Sequence, residues 1–208
     1  GHGLAVAFLR SPFAHAQLTH LDLSEARNSA GVHLAVSQAD MDEDNVGEIH
    51  CQQYVENRDG SQIPRTTKPA MARDIIRHAG DIVAMVVADT RQQALDAIEL
   101  IDVDYDILDS VCDVYEATEP NAPQLYDCYP NNTVFTWEAG TIDKARSAID
   151  SAIASGARLV EVDVINSRIM PNAMETRPMV AQPIKENGGL RIWSGTQGPV
   201  GLSAQIAK

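Results

Sequence analysis

Residues 82–107 constrain the fold more than any other stretch. Residues 82–88 read Ile-Val-Ala-Met-Val-Val-Ala, which has the length and β-branching of a buried strand. Asp89-Thr90 follows and caps a helix. After it, Ala94, Leu95, Ala97, Ile98 and Ile101 recur at helical spacing. Then Val103, Tyr105 and Ile107 alternate with Asp102, Asp104 and Asp106, as in a strand with one wet face. Strand, helix and strand in so short a span make a compact α/β unit.

Several weaker signals surround that unit. Residues 4–9 read as a strand that runs into Pro12, where the backbone is restricted. Residues 18–23 alternate as a half-buried strand does. Ser24 is placed to cap a short helix that Gly31 can close, and 32–36 reads as a further strand. Residues 37–70 are polar and irregular, with Asp59-Gly60 and Pro64. An insertion of that length is either functional or a contact surface. Pro120, Pro123, Pro130 and repeated Asn mark 116–132 as a linker. Beyond it, Ile142, Ala145, Ala148, Ile149, Ala152 and Ile153 form a helical stripe that Gly156 stops. Residues 159–164 alternate as a strand, and 189–194 follow an Asn187-Gly188-Gly189 turn as another. This divides the chain into 1–115, a linker at 116–132, and 133–208. Residues 201–208 read as a helix that has only just begun, and the chain starts at Gly1 without Met. A helix left uncapped in its first turns leads us to expect a piece of a longer polypeptide.

Composition narrows the function classes. Sixteen Lys and Arg stand against 29 Asp and Glu, a formal charge of −13 over 208 residues. Without a basic block, such a chain is a poor binder of phosphate backbones, so no nucleic-acid partner is expected. The apolar run at 82–88 is far short of the roughly 20 residues of a membrane helix. No basic stretch leads into an apolar one at the start, as a secretion signal requires. Cys51, Cys112 and Cys128 are odd in number and widely spaced. They make neither a disulfide framework nor a CxxC pair, and a reducing, cytoplasmic compartment fits them.

Most motif candidates fail on their own chemistry. Asp102, Asp104 and Asp106 have the opening spacing of a calcium loop. However, Ile107 stands where the sharp turn needs Gly, and Asp113 where the bidentate Glu belongs. His50-Cys51 and the pair His15 and His20 are too few for a closed zinc site. The sequon Asn131-Asn132-Thr133 has no meaning without secretion. No GxxxxGK[ST], GxGxxG, HExxH or GxSxG is present. Two stretches near the C-terminus stand apart. In Pro171-Asn172-Ala173-Met174-Glu175-Thr176-Arg177-Pro178, a carboxylate and a guanidinium sit between two stiffening prolines. In Trp193-Ser194-Gly195-Thr196-Gln197-Gly198-Pro199, a strand ends on an amide with small residues beside it. Such an amide can both donate and accept, and its small neighbours let a bulky group approach. Each stretch taken alone is also an ordinary turn.

Taken together, these stretches resemble the large, molybdenum-binding subunit of the xanthine dehydrogenase / aldehyde oxidase / carbon monoxide dehydrogenase family. The resemblance runs over nearly the whole chain. Residues 9–16, LRSPFAHA, are similar to the family's RSPHAHA stretch, with Phe13 as the departure. Residues 31–36 and Asp40 are similar to its GVxAVxTxxD stretch. Residues 80–111 are similar to the long VVAxTxxxAxDAA…VDYE pattern of its α/β hammerhead domain. Residues 171–178 resemble the PMEPR stretch, and Thr196-Gln197 the TQ that opens the active-site region. The implied fold is α+β: an α/β hammerhead domain over 1–115, then the first part of an α/β molybdenum-binding domain from 133.

The resemblance also implies a chemistry. The family's large subunit carries molybdenum on a molybdopterin, here in the cytosine dinucleotide form, and inserts water-derived oxygen into a substrate carbon. Electrons leave through [2Fe–2S] clusters to FAD. Those groups sit on an iron–sulfur small subunit and an FAD-binding medium subunit, the implied partners. Gln197 matches the glutamine that hydrogen-bonds an oxo ligand of the metal, so it is the implied cofactor-binding residue. Glu175 and Arg177 match motif positions that act as supports. The family's glycine-rich pterin loop and its glutamate general base have no counterpart here. No complete catalytic set or protein metal ligand is therefore expected in these 208 residues, which alone should be inactive. The competing reading is a stand-alone, non-catalytic hammerhead module for assembly or small-ligand binding.

Overall fold

The computed structural model describes residues 3–51, 55–166, 174–176 and 178–207. They form two units, divided between Glu138 and Ala139.

The first unit contains β1 (Ala5–Arg10), β2 (Ala16–Asp22), α1 (Ser24–Arg27), β3 (Val32–Ser37) and α2 (Gln38–Glu43). Then come β4 (Ile49–His50), β5 (Thr67–Lys68), β6 (Ile75–Ile76), β7 (Ile82–Ala88), α3 (Arg91–Ile98) and β8 (Asp102–Ile107). The apolar strand β7 is central, with β1 and β3 paired antiparallel on its two edges. In a second sheet, β2 is flanked by β6 and β8, again antiparallel. The strands β7 and β8 are therefore in different sheets, although only α3 separates them in sequence. Thr90 caps α3, its hydroxyl accepting from Gln93 N at 3.3 Å.

Two apolar clusters hold this unit together. One lies where α1 and α3 meet the β1-β7-β3 sheet. It buries Ala7, Ala26, Ala35, Ala84, Ala88, Ala94 and Ala97 around Leu23, Val86 and Ile101. So many alanines let the helix backbone approach the sheet closely. The other cluster gathers Ala16, Ala72, Ile76 and Val83, with Phe13, Leu18, Val103 and Tyr105 packed against them. Phe13 meets Tyr105 edge-on at 5.2 Å, the geometry that ring quadrupoles favour.

Three local readings need correction. Ser24 does not cap α1. Instead, the Asp22 carboxylate accepts from Ser24 N and Oγ at 2.9 and 2.6 Å, because an ionised oxygen two residues earlier is the stronger acceptor. The stretch from 37 is not irregular throughout: α2 begins there. Asp40, at its third position, reaches back to accept from Ser37 N at 2.7 Å, the arrangement of a capping box. The third correction lies in the second unit.

That unit contains α4 (Ile142–Ala154), β9 (Met179–Ile184), β10 (Gly189–Ser194) and α5 (Pro199–Ile206). The strands β9 and β10 form a hairpin, with Met179 opposite Ser194 and Ile184 opposite Gly189. Residues 159–164 are not a strand. Their alternation offers a face, but among the described residues no neighbouring strand supplies a ladder, and Val160, Val162 and Val164 stay exposed. The helix α5 starts at Pro199, as proline favours. No described residue from 139 onward is buried.

Candidate functional site

The β9/β10 hairpin brings two of the three candidate residues to one end of the second unit. Because Met179 pairs with Ser194, the stretch leading into β9 and the stretch leaving β10 extend from the same end. Glu175 lies in a bend ahead of β9, and Gln197 in the bend between β10 and α5. Both are exposed. Arg177 lies outside the described residues.

The turn around Gln197 is built locally. Thr196 Oγ1 accepts from Gly198 N at 3.2 Å, and Pro199 then starts α5. A Cβ placed on Gly195 or Gly198 would meet nothing within 4 Å. Gln197 between them is exposed. Beside it runs a groove of about 440 Å³. One wall is Leu190, Ile192 and Ser194, alternate residues of β10. The other is Pro199, Leu202, Ser203 and Ile206, one face of α5. Thr196, the neighbour of Gln197, lines this groove, and a neutral amide donor can hydrogen-bond an oxygen of a bound molecule without the desolvation cost of a charge. Among the described residues, no group of three or more His, Cys, Asp or Glu could hold a metal ion. Nor is any helix there long and apolar enough to cross a membrane.

Motif reading passed over a second concavity, of about 440 Å³ in the first unit, where residues 65–78 form one wall. Its signal was a local excess of cations (Arg65, Lys68, Arg73 and Arg77) in an otherwise acidic chain. Arg73 forks onto both Asp42 oxygens at 2.8 and 2.9 Å and reaches Glu48 at 3.0 Å. Hydrogen bonds from Arg73, then from Gln38, hold the Asp42 carboxyl down at about 2. The Thr67 hydroxyl, then Arg73, lower that of Glu48.

Comparison with known proteins places both units. Residues 2–109 match the aldehyde oxidase and xanthine dehydrogenase a/b hammerhead domain, and residues 125–208 match a molybdopterin cofactor-binding domain. The nicotine 6-hydroxylase large subunit of Paenarthrobacter nicotinovorans is 31% identical over 94% of this chain, which spans 22% of that protein's length. The carbon monoxide dehydrogenase large chain of Afipia carboxidovorans is 31% identical over 92% of the chain, spanning 23% of that protein. Among solved structures, quinoline 2-oxidoreductase from Pseudomonas putida 86 superposes with a TM-score of 0.75 at 32% identity. That match covers 93% of this chain and 23% of that one. CO dehydrogenase from Oligotropha carboxidovorans gives 0.77 at 29% identity, covering 98% and 25%.

Proposed function

Because this chain belongs to the aldehyde oxidase and xanthine dehydrogenase family, we propose that it is part of the large subunit of a molybdenum hydroxylase. In this reading 1–115 is the hammerhead domain, 116–132 connects, and 133–208 begins the domain that holds the cofactor. The observation that carries it is Gln197, an exposed amide on a turn with open space at Gly195 and Gly198, within the stretch matching a molybdopterin-binding domain.

The residues present fit such a group. Gln197 would hold it through an N–H donor, and the two glycines would leave room for its approach. When bound, molybdopterin with its molybdenum, in the cytosine dinucleotide form, supplies two-electron oxidation with oxygen from water. The chain's own part is to orient. The Thr196 hydroxyl fixes the turn and the hairpin fixes the height of Gln197. Glu175 and Arg177 support the neighbouring stretch. The substrate is a small molecule or carbon monoxide, and the electrons pass to an iron–sulfur small subunit and an FAD-binding medium subunit in the cytoplasm.

Metal analysis of the natural product of the reading frame, purified with its partners, tests this. Stoichiometric molybdenum is expected, and Gln197→Ala should weaken cofactor retention roughly 10–100-fold, as loss of a supporting hydrogen bond does. A product without molybdenum overturns the proposal in favour of a non-catalytic hammerhead module.

A further inference from the structure

We propose that the cavity of the first unit is a binding site for a small oxyanion, a phosphate or carboxylate group, gripped by Arg77. The cavity lies in the hammerhead region, apart from Gln197, and its walls include part of the irregular stretch that follows α2.

The charge pattern is the first support. In a chain with 29 acidic and 16 basic residues, Arg65, Lys68, Arg73 and Arg77 all line this cavity, together with His78. Arg73 is closed off by Asp42 and Glu48. Two carboxylates, Asp74 and Asp81, also line the cavity. Asp81 is buried, with Lys68 Nζ 3.5 Å and His78 Nδ1 3.6 Å from its oxygens. Both separations are longer than a good hydrogen bond, so Lys68 keeps donors for a second oxygen.

The setting of Arg77 is the second support. Its Nε donates to Leu125 O at 3.0 Å, and its guanidinium lies 4.5 Å over the Tyr126 ring. Tyr126 is braced edge-on by Tyr129 at 5.9 Å. Tyr129 is itself buried, and its hydroxyl donates to Pro64 O at 2.7 Å. Among the described residues, neither Nη of Arg77 has an acceptor. A guanidinium stacked on a ring and tethered at Nε has lost its rotamer freedom before any ligand arrives, which favours affinity. The donors left over are spaced for two oxygens of one carboxylate or phosphate. A volume of about 440 Å³ suits a small molecule bearing such a group.

Calorimetric titration of inorganic phosphate, and separately of acetate, into the full chain at low salt tests this. Saturable one-site binding of at least one anion is expected, and the two titrations distinguish phosphate from carboxylate. Arg77→Met should weaken it about tenfold or more, and Arg77→Lys should recover only part, since the ammonium lacks the fork. Arg91→Met, at the exposed start of α3, should bind as the parent does. Circular dichroism verifies that each variant is folded. Should Arg77→Met unfold, Tyr126→Leu removes the platform while keeping the charge, and should weaken binding about threefold or more. No saturable binding overturns the proposal. So does equal weakening by Arg91→Met and Arg77→Met, which would mean diffuse attraction. Binding of a glutamate-rich peptide without binding of either small anion also overturns it.

Discussion

Asn132 sits in the left-handed region, with φ +54, and its side chain ties three backbone groups together. Its Nδ2 donates to Ala117 O and Pro123 O, each at 2.9 Å, and its Oδ1 accepts from Leu125 N at 3.0 Å. Asn132→Ala should cost about 2–3 kcal/mol, from the lost hydrogen bonds and from left-handed strain on a Cβ. Asn132→Gly also loses the hydrogen bonds but has no Cβ to strain, so it should be about 1 kcal/mol milder in urea unfolding. A second residue-scale test uses Asp42. Its carboxyl is held at about 2, against 3.8 as the ordinary value. The native state therefore stays ionised where the unfolded chain takes up a proton. The resulting stabilisation is complete above about pH 4 and is lost as pH falls through about 2. Arg73→Met releases Asp42, so the fall in urea midpoint between those limits should become shallower than in the parent. An unchanged slope would mean that Arg73 is not what holds Asp42.

At the scale of elements, α3 and its sheet show what close approach demands. Ala94 and Ala97 on the helix, and Ala84 and Ala88 on β7, are all fully buried. Ala97→Leu should cost about 1–3 kcal/mol by overpacking, and Thr90→Ala about 1 kcal/mol through loss of the cap. Thermal melts of the two variants and their double mutant would check both figures. The same elements show how much was readable beforehand. The strand β7, the helix α3 with its cap at Asp89-Thr90, α4 and β10 are all legible in the residues, because each is apolar or periodic over enough length to decide. The helix α2 was not: it spans only Gln38–Glu43, too short for a periodic stripe, although Ser37 and Asp40 carried a capping signal. The strand expected over 159–164 failed for the opposite reason. Its pattern is clear, but strand formation needs a partner that sequence alternation does not name. The Gln197 turn could be found as a motif, whereas the Arg77 cavity leaves in the sequence only a local excess of cations. Arg77 meets Tyr126, and Pro64 meets Tyr129, only through folding.

For the molecule as a whole, the two units differ in what holds them. The first buries two apolar clusters around its sheets. In the second, Ile142, Ile149 and Ile153 form the apolar stripe of α4 and all remain exposed, as do Leu159, Val160 and Val162. A helix of this length gains most of its stability from packing that stripe, and in isolation it is marginal in water. Two strands alone are likewise marginal. Amide hydrogen exchange on the 208-residue chain should therefore divide at the boundary between units. Amides of β7, bonded on both sides to β1 and β3, should open only with global unfolding, while those of α4 and the β9/β10 hairpin should exchange through local opening. Mass-spectrometric exchange resolves the two sets of peptides. Urea below the main transition should then speed exchange in the second unit and leave β7 unchanged. Equal protection in the two units would mean that the stripe of α4 is covered in solution, and would refute this division of stability.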